Sequence, residues 1–153
     1  MRHFGIRRSL WGLLALVAAW GGVSTWRRLH TAAQVLATTE CPFRGAPRVV
    51  VSPDVAPEDT LAVRIHEEIH AAQCRELGPV RYRLRNLLAS GKLGLEAPAY
   101  CAAAAARLRG GLDTVRVRER LRDDMVAALS DVADSTAVYA ALCRSCPSIA
   151  GPR

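Results

Sequence analysis

A helix bounded by distinct start and stop signals is the feature that most constrains how this chain can fold. Pro57 and the two acidic residues after it suit the first turn of a helix, and Gly78 with Pro79 supplies a stop. A helix of about 20 residues is therefore predicted between them. Apolar side chains recur along it at helical spacing, namely Leu61, Ile65, Ile69 and Ala72. This apolar face is expected to pack against the rest of the domain.

The rest of the chain predicts a mostly α-helical fold with one short strand or hairpin. Residues 48–52 are rich in valine and lie between two prolines, which is typical of a strand at a sheet edge. Only 5% of the residues are aromatic, so alanine, leucine and valine on helices are expected to form the core. Further helices are predicted at residues 29–39, 80–89, 96–108, from 113 onward and 135–144, with a break at 90–94.

The N-terminal part has the charge pattern of a membrane segment. Residues 10–26 carry no charge, and arginines flank this run on both sides. At about 1.5 Å per residue the run reaches roughly 25 Å, slightly less than a bilayer core. Trp11 and Trp26 lie near its ends, where indole rings prefer the membrane interface. We predict a membrane anchor or signal segment at residues 1–28, a linker or helix at 29–47, a folded domain at 48–146 and a flexible tail at 147–153.

Charge and cysteine content indicate a compartment and argue against one class of partner. The formal net charge is +7, and part of this excess flanks the apolar run. A second basic group at residues 116–122 alternates with valine and leucine, not with aromatic rings that stack on bases, so nucleic-acid binding is not expected. Five cysteines are typical of an oxidising compartment. We therefore predict a membrane-anchored domain that is exported to the cell envelope, outside the cytoplasm.

The predicted motif helix carries an H-E-x-x-H pattern at residues 66–70. Histidines four residues apart lie one turn apart on the same face, so the imidazoles of His66 and His70 can both reach one Zn²⁺ at about 2 Å. Glu67 follows the first histidine and can act as general base on a zinc-activated water. This chemistry needs neutral nitrogen ligands and an open coordination position. The motif therefore predicts a zinc site of the catalytic type.

A catalytic zinc needs a third protein ligand, and this is often a glutamate from a following helix. Glu96 is the predicted ligand, because it begins the next well-marked helix among alanines that allow two helices to approach closely. Four competing candidates lack such surroundings: Glu76, Asp113, Glu119 and Asp123.

The combined pattern resembles a known family. The residues that carry the resemblance are His66, Glu67, His70 and Gln73, followed by Glu96, Ala99 and Tyr100. They are similar to the zincin metallopeptidases with a glutamate ligand, and more closely to short bacterial zincin-like domains with H-E-x-x-H-x-x-Q and E-x-x-A patterns. The resemblance covers about residues 60–105 and implies a small zincin-like helical domain, zinc held by His66, His70 and Glu96, and hydrolysis of a peptide or protein substrate with Glu67 as general base. A metzincin would have glycine at position 73 and histidine at 76, so that branch is disfavoured.

Side chains around the motif have more than one interpretation. Gln73, one turn beyond His70, can hydrogen-bond to a metal ligand or serve only in packing. A tyrosine often helps to hold the oxyanion in such sites. The candidates, each of which also suits ordinary packing, are Tyr82, Tyr100 and Tyr139.

The cysteines suggest cross-links between these elements. A disulfide between Cys74 and Cys101 would tie the motif helix to the Glu96 helix, and Cys41 could pair with Cys143 or Cys146. The Cys143–Cys146 spacing also occurs in redox motifs and zinc knuckles, which leaves a thiol redox protein as an alternative.

We therefore expect a membrane-anchored zinc-dependent hydrolase, a metallopeptidase by its resemblance, with the strand at residues 49–51 receiving the substrate. The alternative is a non-catalytic binding or structural protein of the cell envelope, in which the zinc site or the disulfides only stabilise the fold.

Overall fold

The computed structural model describes residues 36–131 and 133–150, which are mostly helical and include one small antiparallel hairpin. The strands are β1 (Ala37–Glu40) and β2 (Arg48–Val51). The helices are α1 (Pro57–Leu87), α2 (Ala89–Arg109), α3 (Thr114–Leu129), α4 (Ser135–Ser145) and α5 (Pro147–Ala150). The predicted mostly α fold with a hairpin is confirmed for these residues.

The predicted membrane segment at residues 1–28 lies outside the described residues, as do residues 29–35 of the predicted linker. Among the helices of residues 36–131 and 133–150, none is both long and apolar enough to cross a bilayer. The assignment of residues 1–28 therefore stays a prediction.

The hairpin contains a strand that was not predicted. The helix expected to run to Thr39 is wrong for its last three residues, which belong to β1. Thr38 and Thr39 are β-branched and pair in antiparallel register with Val50 and Val49. Both strands contact α1. The hairpin therefore lies against the helix that carries the H-E-x-x-H motif.

α1 consists of two helical segments that meet at a glycine. Gly78 has φ 74° and ψ 159°, a conformation that favours glycine. Pro79 follows at the start of the second segment, where its missing N–H costs little. The predicted stop is therefore a kink, and the segment beyond it corresponds to the helix predicted at residues 80–89. The predicted apolar face of the first segment is wrong: Leu61 is 60% exposed, and the face that packs inward is the one with Ala62 and Ala71.

α2 begins seven residues before the predicted start at Glu96, and the predicted break at residues 90–94 is wrong. Gly91 allows a close approach between helices: a Cβ there would lie 2.4 Å from the carbonyl oxygen of Arg85, near the end of α1. The chain thus turns tightly from α1 into α2. Glu96 consequently lies in the third turn of α2, not in its first.

The described residues bury two separate apolar clusters. The larger one, the bundle cluster, lies among α2, α3, α4 and α5. Its largest fully buried members are Val117, Leu121, Met125, Leu129, Val138 and Leu142. The smaller one, the site cluster, joins the end of β1 to α1 and α2 and consists of Cys41, Cys74, Tyr82 and Leu95. Aliphatic side chains therefore form most of the core, as expected.

Two disulfides join the elements, and neither is a predicted pair. Cys41, just after β1, is bonded to Cys74 on α1, and Cys101 on α2 is bonded to Cys146 after α4. The predictions that Cys74 pairs with Cys101, and that Cys41 pairs with Cys143 or Cys146, are wrong. The reason is β1, which brings the Cα of Cys41 within 6.0 Å of that of Cys74. Cys143 is a free thiol, so the Cys143–Cys146 pair of a redox motif is not formed.

The predicted flexible tail begins with an ordered turn. Residues 147–150 form α5, and Ile149 is buried in the bundle cluster. The Nε of Arg118 on α3 donates a hydrogen bond to the carbonyl of Ile149 at 2.9 Å. Packing of the domain therefore extends past the predicted boundary at residue 146.

Candidate metal centre

The two motif histidines present their ring nitrogens to one point beside α1. His66 and His70 lie one turn apart on the same face, and their Nε2 atoms are 3.1 Å apart. Their rings meet edge to face, with centroids 4.8 Å apart. The predicted position of both histidines on one helix face is confirmed.

α2 brings the predicted third side chain to the same point. Glu96 Oε2 lies 3.4 Å from the Nε2 of His66 and 3.4 Å from the Nε2 of His70. Buried alanines that follow it, at positions 99 and 103, keep this face of α2 small. Among the described residues, these three form the one cluster of histidine, cysteine and carboxylate side chains that could hold a metal ion. The competing candidates at positions 76, 113, 119 and 123 do not belong to it.

The separations among the three atoms fit a small cation. Ligands about 2.0 Å from a tetrahedral zinc lie about 3.3 Å from one another. The three separations are 3.1, 3.4 and 3.4 Å. Two imidazoles and one carboxylate also match the three-ligand sets of catalytic zinc sites, whereas structural sites are closed by four ligands. The residues present therefore fit a zinc ion with an open coordination position.

Gln73 fixes the tautomer that His70 needs as a ligand. The Nε2 of Gln73 donates to the backbone carbonyl of Leu95 at 2.9 Å. The side-chain oxygen of Gln73 consequently faces His70, where it lies 2.9 Å from Nδ1. An amide oxygen only accepts, so Nδ1 of His70 carries the proton and its Nε2 presents a lone pair to the cluster. Of the two roles left open by the sequence, a hydrogen bond to His70 is the one observed.

The electrostatics of the cluster favour a positive charge at its centre. Burial alone would raise the pKa of Glu96, but its contacts with His66 and then His70 outweigh burial and lower that pKa to about 2. Burial alone would lower the pKa of His70, but the contact with Glu96 outweighs it and raises that pKa above 6.5. Glu96 is thus a carboxylate whose field attracts a cation, whether that cation is a proton or a metal ion.

Two of the three candidate tyrosines surround the histidines. The Tyr100 ring packs edge to face on the His66 ring, with centroids 4.6 Å apart. The Tyr82 ring lies 6.4 Å from that of His70. Burial first, and the charge of Glu96 second, raise the pKa of the Tyr100 hydroxyl, so that it stays a proton donor. The third candidate, Tyr139, instead lines an open groove between α3 and α4.

Glu67 lies beside the cluster and is held by the hairpin. The hydroxyl of Thr39 on β1 lies 2.8 Å from the Oε2 of Glu67 and 2.8 Å from its backbone carbonyl oxygen. Glu67 is buried, with only 9% of its surface exposed. Sequence reasoning missed Thr39 as a site residue, because β1 was not predicted. The β-branched pair at residues 38–39, a short distance before the valine-rich strand, is the signal that could have found it.

Comparisons with protein-family models, with curated proteins and with solved structures found no match. The functional argument therefore depends on the geometry of this site and on the sequence motif that produces it.

Proposed function

We propose that this protein is a zinc-dependent hydrolase that cleaves peptide bonds. The observation that carries the proposal is the convergence of His66, His70 and Glu96 on one point, with the buried carboxylate of Glu67 beside it. Three ligands of this kind leave room for water and substrate, which distinguishes a catalytic set from a structural one.

The ligands have separate parts in this proposal. His66 and His70 provide neutral nitrogens, and Glu96 provides the negative charge that retains a divalent cation in a partly buried site. Zinc bound there would supply Lewis acidity toward a carbonyl group and would lower the pKa of water. Gln73 keeps His70 in the correct tautomer, so the site is organised before a metal arrives.

Glu67 is the proposed proton acceptor. Thr39 contacts its Oε2, so Oε1 is the oxygen left to take a proton from the attacking water and later to transfer it to the leaving amine. The hydroxyl of Tyr100, which stays protonated, is the proposed donor to the oxyanion. The protein itself therefore provides both the proposed proton acceptor and the proposed oxyanion donor next to the two histidines.

Two features support a peptide as the substrate. The H-E-x-x-H-x-x-Q and E-x-x-A patterns resemble the zincin metallopeptidases. A two-stranded sheet also has unpaired edges, and the hairpin that contacts Glu67 can add an extended peptide as a further strand. We therefore keep residues 49–51 of β2 as the proposed place where the substrate pairs.

The proposed location is outside the cytoplasm, at a membrane. Two disulfides suggest an oxidising compartment. Residues 1–28, whose sequence has the pattern of a membrane anchor or signal segment, are the proposed means of attachment.

Matched glutamine variants of two adjacent glutamates test the mechanism. The full chain, loaded with zinc, is assayed on an unfolded protein such as casein. Glu67→Gln should lower kcat by about 10²–10⁴-fold while the zinc content stays unchanged, because the proton acceptor is lost and the ligands are not. Glu68→Gln is the control, since this side chain is exposed and pairs with Arg64. It should retain full activity.

Two outcomes would contradict the proposal. Equal turnover by Glu67→Gln and the wild type would exclude Glu67 as the proton acceptor. Bound zinc without hydrolysis of any peptide by the wild type would favour the alternative, a non-catalytic protein in which zinc stabilises the fold. In that case zinc removal should lower the Tm, and Glu67→Gln should have no functional effect.

A further inference from the structure

An apolar stripe runs along the outer face of the second segment of α1. Val80, Leu84 and Leu87 follow one another at i, i+4 and i+7, and Leu88 continues the stripe at the turn into α2. Each of the four is more than half exposed, with values from 55 to 73%. At about 100° per residue, the three helical positions lie within about 60° of one another. We call these four residues the outer stripe.

The outer stripe faces away from the interior of the domain. Tyr82, which belongs to the site cluster, is on nearly the opposite side of the same helical segment. An amphipathic helix normally turns its apolar face inward. This segment has a second apolar face, and that face has no partner among the described residues.

Arginines border the outer stripe on both sides. Arg81 and Arg85 lie along one side and Arg83 along the other, and none of them forms an ion pair with a described residue. The guanidinium of Arg83 stacks on the exposed ring of Phe43 at 4.3 Å, which adds an aromatic side chain to that border. Residues 77–95 contain four basic side chains and no acidic one. The outer stripe is therefore apolar, and the charged side chains on its own helical segment are all positive.

We propose that the outer stripe docks on an anionic lipid surface. Apolar side chains bordered by arginines are the composition of helices that lie in a membrane interface, where the stripe enters the acyl boundary and the guanidinium groups bind lipid phosphates. A second copy of this chain fits less well, because a two-fold contact would place one copy's arginines against the other's. This proposal does not depend on the zinc site or on hydrolysis.

A tryptophan reporter in the full chain tests the docking. The native tryptophans all precede the described residues and are first replaced by phenylalanine: Trp11, Trp20 and Trp26. Leu87→Trp is then introduced and mixed with vesicles of phosphatidylcholine that contain phosphatidylglycerol and brominated acyl chains. Leu61→Trp is the matched control, since Leu61 lies on the first segment of the same helix, is similarly exposed, and follows Glu58 by three residues. Leu84→Trp is a second reporter from the outer stripe.

Bromine should quench the tryptophan at position 87 or 84 and leave the one at position 61 unaffected. Omission of phosphatidylglycerol should abolish the quenching. Arg81→Gln and Arg85→Gln should each lower the affinity of the stripe for the vesicles about fivefold. Three results would overturn the proposal. They are no quenching at either stripe position, equal quenching in vesicles without anionic lipid, and a concentration-dependent blue shift without vesicles, which would show that a second copy covers the stripe.

Discussion

The bundle cluster and the site cluster are held together by different interactions. The large members of the bundle cluster are aliphatic or methionine side chains, and six of them are less than 2% exposed. The site cluster has only four members, and two of them form a disulfide. The buried polar groups next to it, Glu67 and His70, are held by Thr39 and Gln73.

This contrast indicates how stability and function are divided in the domain. Apolar burial scales with area and does not depend on exact direction, so the bundle cluster is expected to set the free energy of unfolding. Hydrogen bonds and cross-links are directional, so the contacts around the site cluster are expected to set metal affinity and turnover. Variants in the bundle cluster should therefore change the free energy of unfolding far more than metal affinity or turnover. Variants around the site cluster should do the reverse.

The largest effect on stability is expected in the bundle cluster. Leu121→Ala should lower the free energy of unfolding by about 3–5 kcal/mol, because Leu121 is fully buried on α3 and the substitution leaves a cavity. Val115→Ala on the same helix is the control, since Val115 is mostly exposed, and it should change stability by less than about 0.5 kcal/mol. Both are measured by urea unfolding. A marked loss of zinc affinity in folded Leu121→Ala would break the proposed division.

The two disulfides allow a direct comparison between the clusters. Replacement of either pair by serine should lower the free energy of unfolding by about 4 kcal/mol, because the two loops are similar in length, with sequence separations of 33 and 45. Only the loss of Cys41–Cys74 should also weaken zinc binding, since Cys41 holds the end of β1 on α1. Titration with zinc measures this, and an equal loss of affinity in both double variants would contradict the assignment.

Loss of the contact between Gln73 and His70 should lower the affinity for the metal. Gln73→Ala removes the acceptor that fixes the His70 tautomer, so zinc affinity should fall about 10–100-fold. Glu76→Ala, three residues further along α1, is an exposed control and should leave affinity unchanged. Zinc titration against a competing chelator gives both values. If zinc affinity is unchanged in Gln73→Ala, Gln73 serves only in packing.

The smallest predicted effect concerns the hydroxyl that holds Glu67. Thr39→Val keeps the shape of the side chain but removes its donor, so kcat should fall about tenfold with zinc content unchanged. Thr39→Ser restores the hydroxyl and should recover most of the activity. Steady-state kinetics separate kcat from KM here. Equal kcat in the valine variant and the wild type would show that α1 alone positions Glu67.

The sequence predicts the local parts of this site and misses its long-range contacts. The positions of His66 and His70 follow from the helical repeat between Pro57 and Gly78, and the choice of Glu96 followed from its alanine-rich helix. The break expected at residues 90–94 was wrong because Gly91 there serves a tight approach between helices, which local propensity does not reveal.

The cross-links could not be derived from spacing for a related reason. Cys41 pairs with Cys74 only because a four-residue strand carries it to α1, and a strand that short has a weak sequence signal. The Thr39–Glu67 contact depends on the same strand. Both contacts join segments that are distant along the chain, and local sequence patterns do not predict such contacts.

The zinc content of the full chain, purified without added metal, is the most direct test of the central claim. The wild type should contain one zinc ion per chain, and Glu67→Gln should contain the same amount. The double variant His66→Ala/His70→Ala should contain none, because it loses two of the three ligands. Equal zinc in the wild type and the double variant would contradict the account. So would a wild type that contains no zinc as purified and binds none when zinc is then added.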